Sequence, residues 1–326
     1  MRLADPVLGA RILGLGSSQP EHVVTNADLE KRVETDDAWI RSRVGIAERR
    51  VADAQTSLPD MAVAAGRAAL TDAGFDPAGL DAVIVATCTM PNPIPNAAAQ
   101  VATELGANGV AAFDVNAACA GFSYGLGVAA DMVRAGSAAH VLVIGAEKLS
   151  DWVDWDDRST CIIFADGAGA ALIGPATTDD AVGIGPVSWG SAGDHADTIR
   201  ILGESTNKLH QEGQAVFRWA TTAIAPVALD AIARAGLAPA DIDALIPHQA
   251  NLRIIEAIAK KLRAKGARED MVVADDIVHS GNTSSASIPL ALDHMRTAGR
   301  VRSGDVLLLV GFGAGLSYAG QVVVCP

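Results

Sequence analysis

Two stretches decide the fold: AGFDPAGLDAVIV, Ala73–Val85, and AGLAPADIDALIP, Ala235–Pro247, align without a gap at an offset of 162 residues. Each reads as a helix end, a glycine stop, a proline-containing turn and a buried strand. A second pair lies downstream. CAGFSYGLGVAADMVRAG (Cys119–Gly136) and NTSSASIPLALDHMRTAG (Asn282–Gly299) align at an offset of 163, share a methionine and a closing Ala-Gly, and lead into the apolar strands HVLVIG and DVLLLVG. Two matches at nearly one offset, about half the chain length, indicate two similar βα halves.

The duplication sets Cys119 and Asn282 at equivalent junctions where the chain enters a helix, and there free backbone N–H groups and the helix dipole favour negative charge. A cysteine at such a place is expected to have a lowered pKa and to act as a nucleophile. The alternative is a small core residue, because cysteine is among the types most often buried. In DALIPHQANLRII, His248 closes the repeated strand and precedes the helical NLRIIEAIAKKLRAKG; alone, it also reads as a surface or hydrogen-bonding histidine. The matching strand of the first half ends in VATCTM, so the halves differ chemically at corresponding places.

Composition narrows the function classes. The chain has 326 residues, 50% hydrophobic and 19% charged, enough for a large core in about two domains or one large α/β unit. Thirty-eight acidic residues against 25 basic ones give a formal charge of -13, which argues against nucleic acid or an anionic membrane as partner. Cys88, Cys119, Cys161 and Cys325 form no CxxC pair and have no histidine at zinc-ligand spacing, so the expectation is a reduced cytoplasmic chain without a metal, in which Cys88, Cys161 and Cys325 are structural. MRLADPVLGARILGLG has an acid and a proline where an export signal needs an unbroken apolar core. The uncharged run Val306–Pro326 approaches membrane-span length, but its glycine-rich GFGAGLSYAG reads as a tight connection between two buried strands.

DVNAACAGFSYGL, IPHQANLRI, GNTSSASIPLAL and GFGAGLSYAG, in this order, resemble β-ketoacyl-acyl-carrier-protein synthase III, the initiating condensing enzyme of type II fatty acid synthesis in the thiolase superfamily. The likeness runs from RILGLGSSQPEHVVTNADLE to the C-terminus. It implies an α/β, thiolase-like five-layer αβαβα fold with two pseudo-symmetric halves, 1–174 carrying the nucleophile and 175–326 carrying the histidine and asparagine. It implies that Cys119 takes the acyl group from acyl-CoA and that His248 and Asn282 stabilise the enolate formed when malonyl-acyl carrier protein loses CO2. The backbone N–H groups of Cys119 and Ala314 would form the oxyanion hole. No cofactor is implied, since acyl-CoA and malonyl-acyl carrier protein are both substrates.

By the same resemblance Trp39 and Arg158 sandwich the CoA adenine, Arg43 meets its phosphates and Asn251 the pantetheine arm, chemistry that suits a stacking indole and bidentate guanidinium groups. Packed indoles and solvated ion pairs are the plainer readings of these residues. Ile94 corresponds to a pocket-limiting side chain contributed across a homodimer. Between Gly193 and Gly213 the chain departs from the family pattern with a segment about ten residues shorter. Arg253, Lys260, Lys261 and Lys265 can share one broad side of the helix after His248, above a buried stripe of Ile254, Ile255, Ile258 and Leu262. With Arg218 they form a basic strip suited to the acidic acyl carrier protein, or else a solvated face. A non-decarboxylating acyltransferase or polyketide-priming ketosynthase stands as the alternative activity. A silent partner subunit has no need of Cys119, His248 and Asn282 together, and a Cys-His hydrolase leaves Asn282 and the glycine loop without a purpose.

Overall fold

The computed structural model describes residues 9–176, 183–202 and 208–326. Residues 1–8, part of the stretch read against an export signal, and 203–207, within the shortened segment, lie outside them.

Five strands build the first sheet: β1 (Ala10–Ser18), β2 (Ala82–Ala86), β3 (Ala111–Val115), β4 (Val141–Lys148) and β5 (Asp166–Pro175), side by side as β3-β2-β4-β5-β1. The second sheet repeats this with β6 (Ser188–Ser191), β7 (Ala244–Pro247), β8 (Val272–Val273), β9 (Val306–Gly313) and β10 (Ser317–Val324), in the order β8-β7-β9-β10-β6. In each sheet the first three strands of that order run parallel and the last two pair antiparallel. Position for position the sheets match, so the sequence repeat is a repeat of topology. Every residue of β2, β4 and β7 is buried, as expected of unbroken apolar runs covered on both faces.

Helices supply the covers. On the outer face of the first sheet, α1 (Leu58–Asp72) and α2 (Ala97–Leu105) pack Met61, Ala65 and Val101 against Val83, Val85, Leu142 and Ile144. The inner layer is α3 (Gly121–Ala135) with a later helix, Ser287–Thr297. Their Phe122, Leu126, Ile288 and Leu292 fill the space between Ile84 and Val143 of one sheet and Ile246 and Leu309 of the other. The outer face of the second sheet takes α4 (Gly213–Arg234) and α5 (Leu252–Arg263), through Ile224, Ala228, Ile254 and Ile258. The later inner helix is α6 (Ser287–Thr297). The outcome is five layers, αβαβα. Among the described residues α4 alone is long and apolar enough to cross a bilayer, and it buries Ile224, Ala228, Ala231 and Ile232.

The inner helices correct one expectation. Ala118 (φ 45°) and Ser284 (φ 50°) both take the left-handed backbone conformation, and each opens a single 3-10 turn, Ala118–Ala120 or Ser284–Ala286, that runs directly into α3 or α6. Matched on these turns, Cys119 stands opposite Ser285, not opposite Asn282. The far ends of the helices keep the sequence offset, because α3 has 15 residues and α6 only 11, one turn fewer at its start. Asn282 is fixed instead by the first half: its N–H donates to the Ile163 carbonyl at 2.9 Å, and its carbonyl accepts from the Ala165 N–H at 2.9 Å.

Candidate active site

A cavity of about 650 Å³ opens between the halves and is lined by Cys119, His248, Asn282 and Ala314 together with Trp39, Arg43, Arg158, Arg218, Asn251 and Arg253. Residues drawn from positions 39 to 314 of the chain thus share one space.

Cys119 lies in the 3-10 turn before α3, two residues short of the helix itself. The β9 strand presses closely on it: a Cβ on Gly313 would sit 2.6 Å from the Cys119 Cβ and 2.9 Å from its Sγ, so only glycine fits. The backbone N–H groups of Cys119 and Ala314 and the Ser284 side chain lie close to the sulfur and favour its thiolate. Desolvation outweighs these donors, and with the Glu147 charge adding to it the thiol is pushed up to about 12. The expected lowering is therefore overturned. The sulfur faces the cavity from an otherwise enclosed floor, and the dipole of α3 begins beyond the turn that carries it.

His248 follows β7, its N–H donating to the Val310 carbonyl at 2.8 Å. Its Nδ1 lies 2.7 Å from the Ser287 Oγ at the start of α6, and its ring meets Phe312 edge-on, with centroids 5.2 Å apart. Burial lowers its pKa to about 3, so the imidazole is neutral. Asn282 is 4% exposed, and its Oδ1 accepts the Ser284 N–H at 2.8 Å, which leaves Nδ2 as the group it can offer a ligand.

At the mouth, Asp36 caps the helix Asp37–Val44 by accepting the Trp39 N–H at 2.6 Å and so sets the indole. The guanidinium of Arg158 lies 4.7 Å from the Trp39 ring centroid and that of Arg43 5.5 Å away. Asn251 donates to the Arg43 carbonyl at 3.1 Å and caps α5 through Arg253 N–H. Arg253 stacks on Phe217 at 5.1 Å, and Arg218 beside it is exposed. Lys260 and Lys261 are exposed on α5 and Lys265 is exposed just past its end, all away from the lining, and Lys261 reaches the Thr221 carbonyl on α4. Ile94 is not in the lining either; it is 82% exposed on the connection between β2 and α2.

Two residues of the site were missed in the sequence. Cys88, read as structural, lines the cavity, with its Sγ 3.8 Å from the Ser284 Oγ. Glu147 lies behind it, fully buried at the end of β4. The signal for Cys88 was present in VATCTM, opposite the strand that ends at His248; a carboxylate in HVLVIGAEK read only as the end of a strand.

Comparison with known proteins decides the family. A sequence model of 3-oxoacyl-acyl-carrier-protein synthase III matches residues 113–193 and that of its C-terminal part matches 232–325. β-Ketoacyl-acyl-carrier-protein synthase III 4 of Streptomyces coelicolor is 50% identical over 318 residues, 98% of this chain and 99% of that protein. The chain belongs to the β-ketoacyl-acyl-carrier-protein synthase III family. It is a condensing acyltransferase with the thiolase fold of that family. The synthase III of Aquifex aeolicus superposes with a TM-score of 0.91 at 39% identity, covering 97% of this chain and 100% of that one. The priming β-ketosynthase of the R1128 polyketide pathway gives 0.95 at 41% identity, covering 100% and 98%.

The dry setting of His248 predicts how this synthase III fold responds to acid. An unfolded histidine takes up a proton as pH falls through about 6.5, whereas the buried ring resists until about 3. The folded state binds fewer protons in that window, so the stability contributed by neutral His248 is present above about 6.5 and is lost as pH falls towards 3, by at most about 1.4 kcal/mol per pH unit. Urea midpoints at pH 7 and pH 5 should fall less for His248→Gln than for the parent chain; equal losses would contradict the assignment.

Proposed function

We propose that the chain condenses an acyl-CoA primer with malonyl-acyl carrier protein to give 3-oxoacyl-acyl carrier protein, the step that begins fatty acid chains in the cytoplasm. The observation that carries this is the meeting of Cys119, a neutral His248, Asn282 and Ala314 in the lining of one cavity.

Cys119 gives up its proton and attacks the primer thioester; CoA leaves as the thiol and the acyl group stays on sulfur. Malonyl-acyl carrier protein then enters and loses CO2. As charge gathers on its thioester oxygen, Asn282 Nδ2–H donates to it, and so does His248 Nε2–H, the tautomer assigned when the Ser287 hydroxyl donates to Nδ1. The carbanion attacks the acyl-cysteine, the resulting oxyanion accepts from the N–H groups of Cys119 and Ala314, and collapse frees Cys119. Neither step calls for a cofactor, because both substrates arrive as activated thioesters. A neutral histidine suits this work better than a charged one, since it donates to the enolate without protonating the carbanion. Cys119→Ala should form no labelled acyl-enzyme from acyl-CoA, whereas His248→Ala and Asn282→Ala should still acylate and lose condensation by about 10²-fold or more. Equal loss of both half-reactions would assign the two residues to the nucleophile instead.

Trp39, Arg158 and Arg43 would take the adenine and phosphates of CoA at the mouth, with Asn251 beside the pantetheine arm. Arg218, Arg253, Lys260 and Lys261 would receive the carrier protein, raising its on-rate through charge on a chain of net charge -13. Charge reversal at Arg253 and Lys260 should raise the KM for malonyl-acyl carrier protein and flatten its dependence on salt, with acylation by acyl-CoA little changed; loss of both half-reactions would remove the docking role. The polyketide-priming reading is favoured by the likeness to the R1128 ketosynthase, and extension of a polyketide carrier protein in preference to a fatty acid one would select it.

A homodimer completes the reading. The edge strand β3 keeps Phe113 and Val115 partly exposed, and Ile94 projects from the surface with no apolar cover in its own chain. Pairing of two β3 edges would cover them and bring each Ile94 towards the partner's acyl pocket. Light scattering at micromolar concentration should give the mass of two chains; a single-chain mass would end the proposal.

A further inference from the structure

Glu147 is 0% exposed, and among the described residues it meets hydroxyls, a thiol and one amide. Its Oε2 accepts from the first half: Thr87 Oγ1 at 3.1 Å, the Cys88 N–H at 3.2 Å and Thr89 Oγ1 at 2.6 Å. Its Oε1 faces the second half, with Ser284 Oγ at 3.0 Å and Ser285 Oγ at 2.8 Å, and also meets the Cys88 Sγ at 3.4 Å. The approach of the halves depends on Gly145, where a Cβ would lie 2.4 Å from the Ser285 carbonyl. One carboxylate therefore joins the two halves directly behind the nucleophile.

Ser284 connects this clamp to the chemistry. Its N–H holds the Asn282 Oδ1 at 2.8 Å, its side chain lies close enough to the Cys119 sulfur to act on it, and its left-handed backbone, φ 50°, is a conformation a non-glycine residue keeps only when its surroundings impose it. We propose that Glu147 is a positioning residue for both Cys119 and Asn282, acting through Ser284. The proposal rests on the condensing reading above.

The Ser284 hydroxyl has one proton. While Glu147 accepts it at 3.0 Å, that proton is not free for the Cys119 sulfur, and the Glu147 charge also opposes thiolate formation. The other titratable groups lining the cavity are Cys88 and His248, with Arg43, Arg158, Arg218 and Arg253 towards solvent. Glu147→Gln removes the charge and frees the Ser284 proton for the sulfur, so the pH profile of Cys119 alkylation by iodoacetamide should move to lower pH. Ser284→Ala deletes the donor that can turn to a thiolate, so its profile should move to higher pH. In both variants the Ser284 side chain loses its bond to a carboxylate, so the backbone N–H that holds Asn282 is less firmly placed, and condensation turnover per alkylatable Cys119 should fall about tenfold at unchanged KM for acyl-CoA, with the double variant no worse than either single one.

Opposite shifts with that fall in turnover support the proposal; coincident profiles, shifts of the same sign, or turnover per active thiol equal to the parent overturn it. A merely structural carboxylate would lower the melting temperature and leave the profile of the folded fraction unmoved. Should Glu147→Gln fail to fold, Ser284→Ala alone still decides, through the sign of its shift. A parent chain that makes no 3-oxoacyl product yet gives the opposite shifts would sink the condensing reading and leave the positioning of Cys119 standing.

Discussion

The structure depends on the burial of two helices between two sheets. α3 and α6 are buried over most of their length: Phe122, Leu126, Ile288 and Leu292 meet apolar side chains from β2 and β4 on one side and from β7 and β9 on the other. At about 1.5–3 kcal/mol for each large apolar side chain fully buried, this layer outweighs any single polar contact in the molecule. It fixes the separation of the sheets, and so the place where the starts of the two helices come together. The cavity lies at that place.

Dryness follows from the same layer and sets the electrostatics. Both reacting side chains are neutral at rest, Cys119 because its thiolate is desolvated and His248 because its imidazolium is. A thiolate-imidazolium pair of the kind found in cysteine proteases would need both shifts reversed. The enclosure that costs the nucleophile its ready ionisation also strengthens each donor aimed at an enolate or an oxyanion, because charges interact more strongly in a low-dielectric setting.

Much of this was legible in the sequence, for physical reasons. Strands buried on both faces must be apolar throughout, and helix ends need glycine, so the duplication survives as pattern at Gly74 and Gly236, and Cys119, His248, Asn282 and Ala314 come to one cavity from motifs short enough to read. What failed was not local. The pKa of Cys119 depends on atoms of β9 and Ser284, distant in sequence, whereas the reading from the helix start counted only its own turn. The offset of 163 held at the helix ends and failed at their beginnings, because an ungapped alignment cannot register a missing turn. Glu147 was hidden by its sequence neighbours: the five residues that give it meaning come from the loop after β2 and the turn before α6. Ile94 and the outer lysines could not be placed by a single chain's cavity at all.

The bridge from Asn282 to Ile163 and Ala165 bears on the order in which the chain is made. The first sheet is complete once Pro175 has been synthesised, and it then holds a finished nucleophile turn. The wall opposite that turn, from His248 through Asn282 to Ala314, leaves the ribosome only with the last quarter of the polypeptide. The nucleophile turn is therefore made well before the wall it works against, and chemistry waits for the arrival of the C-terminal strands.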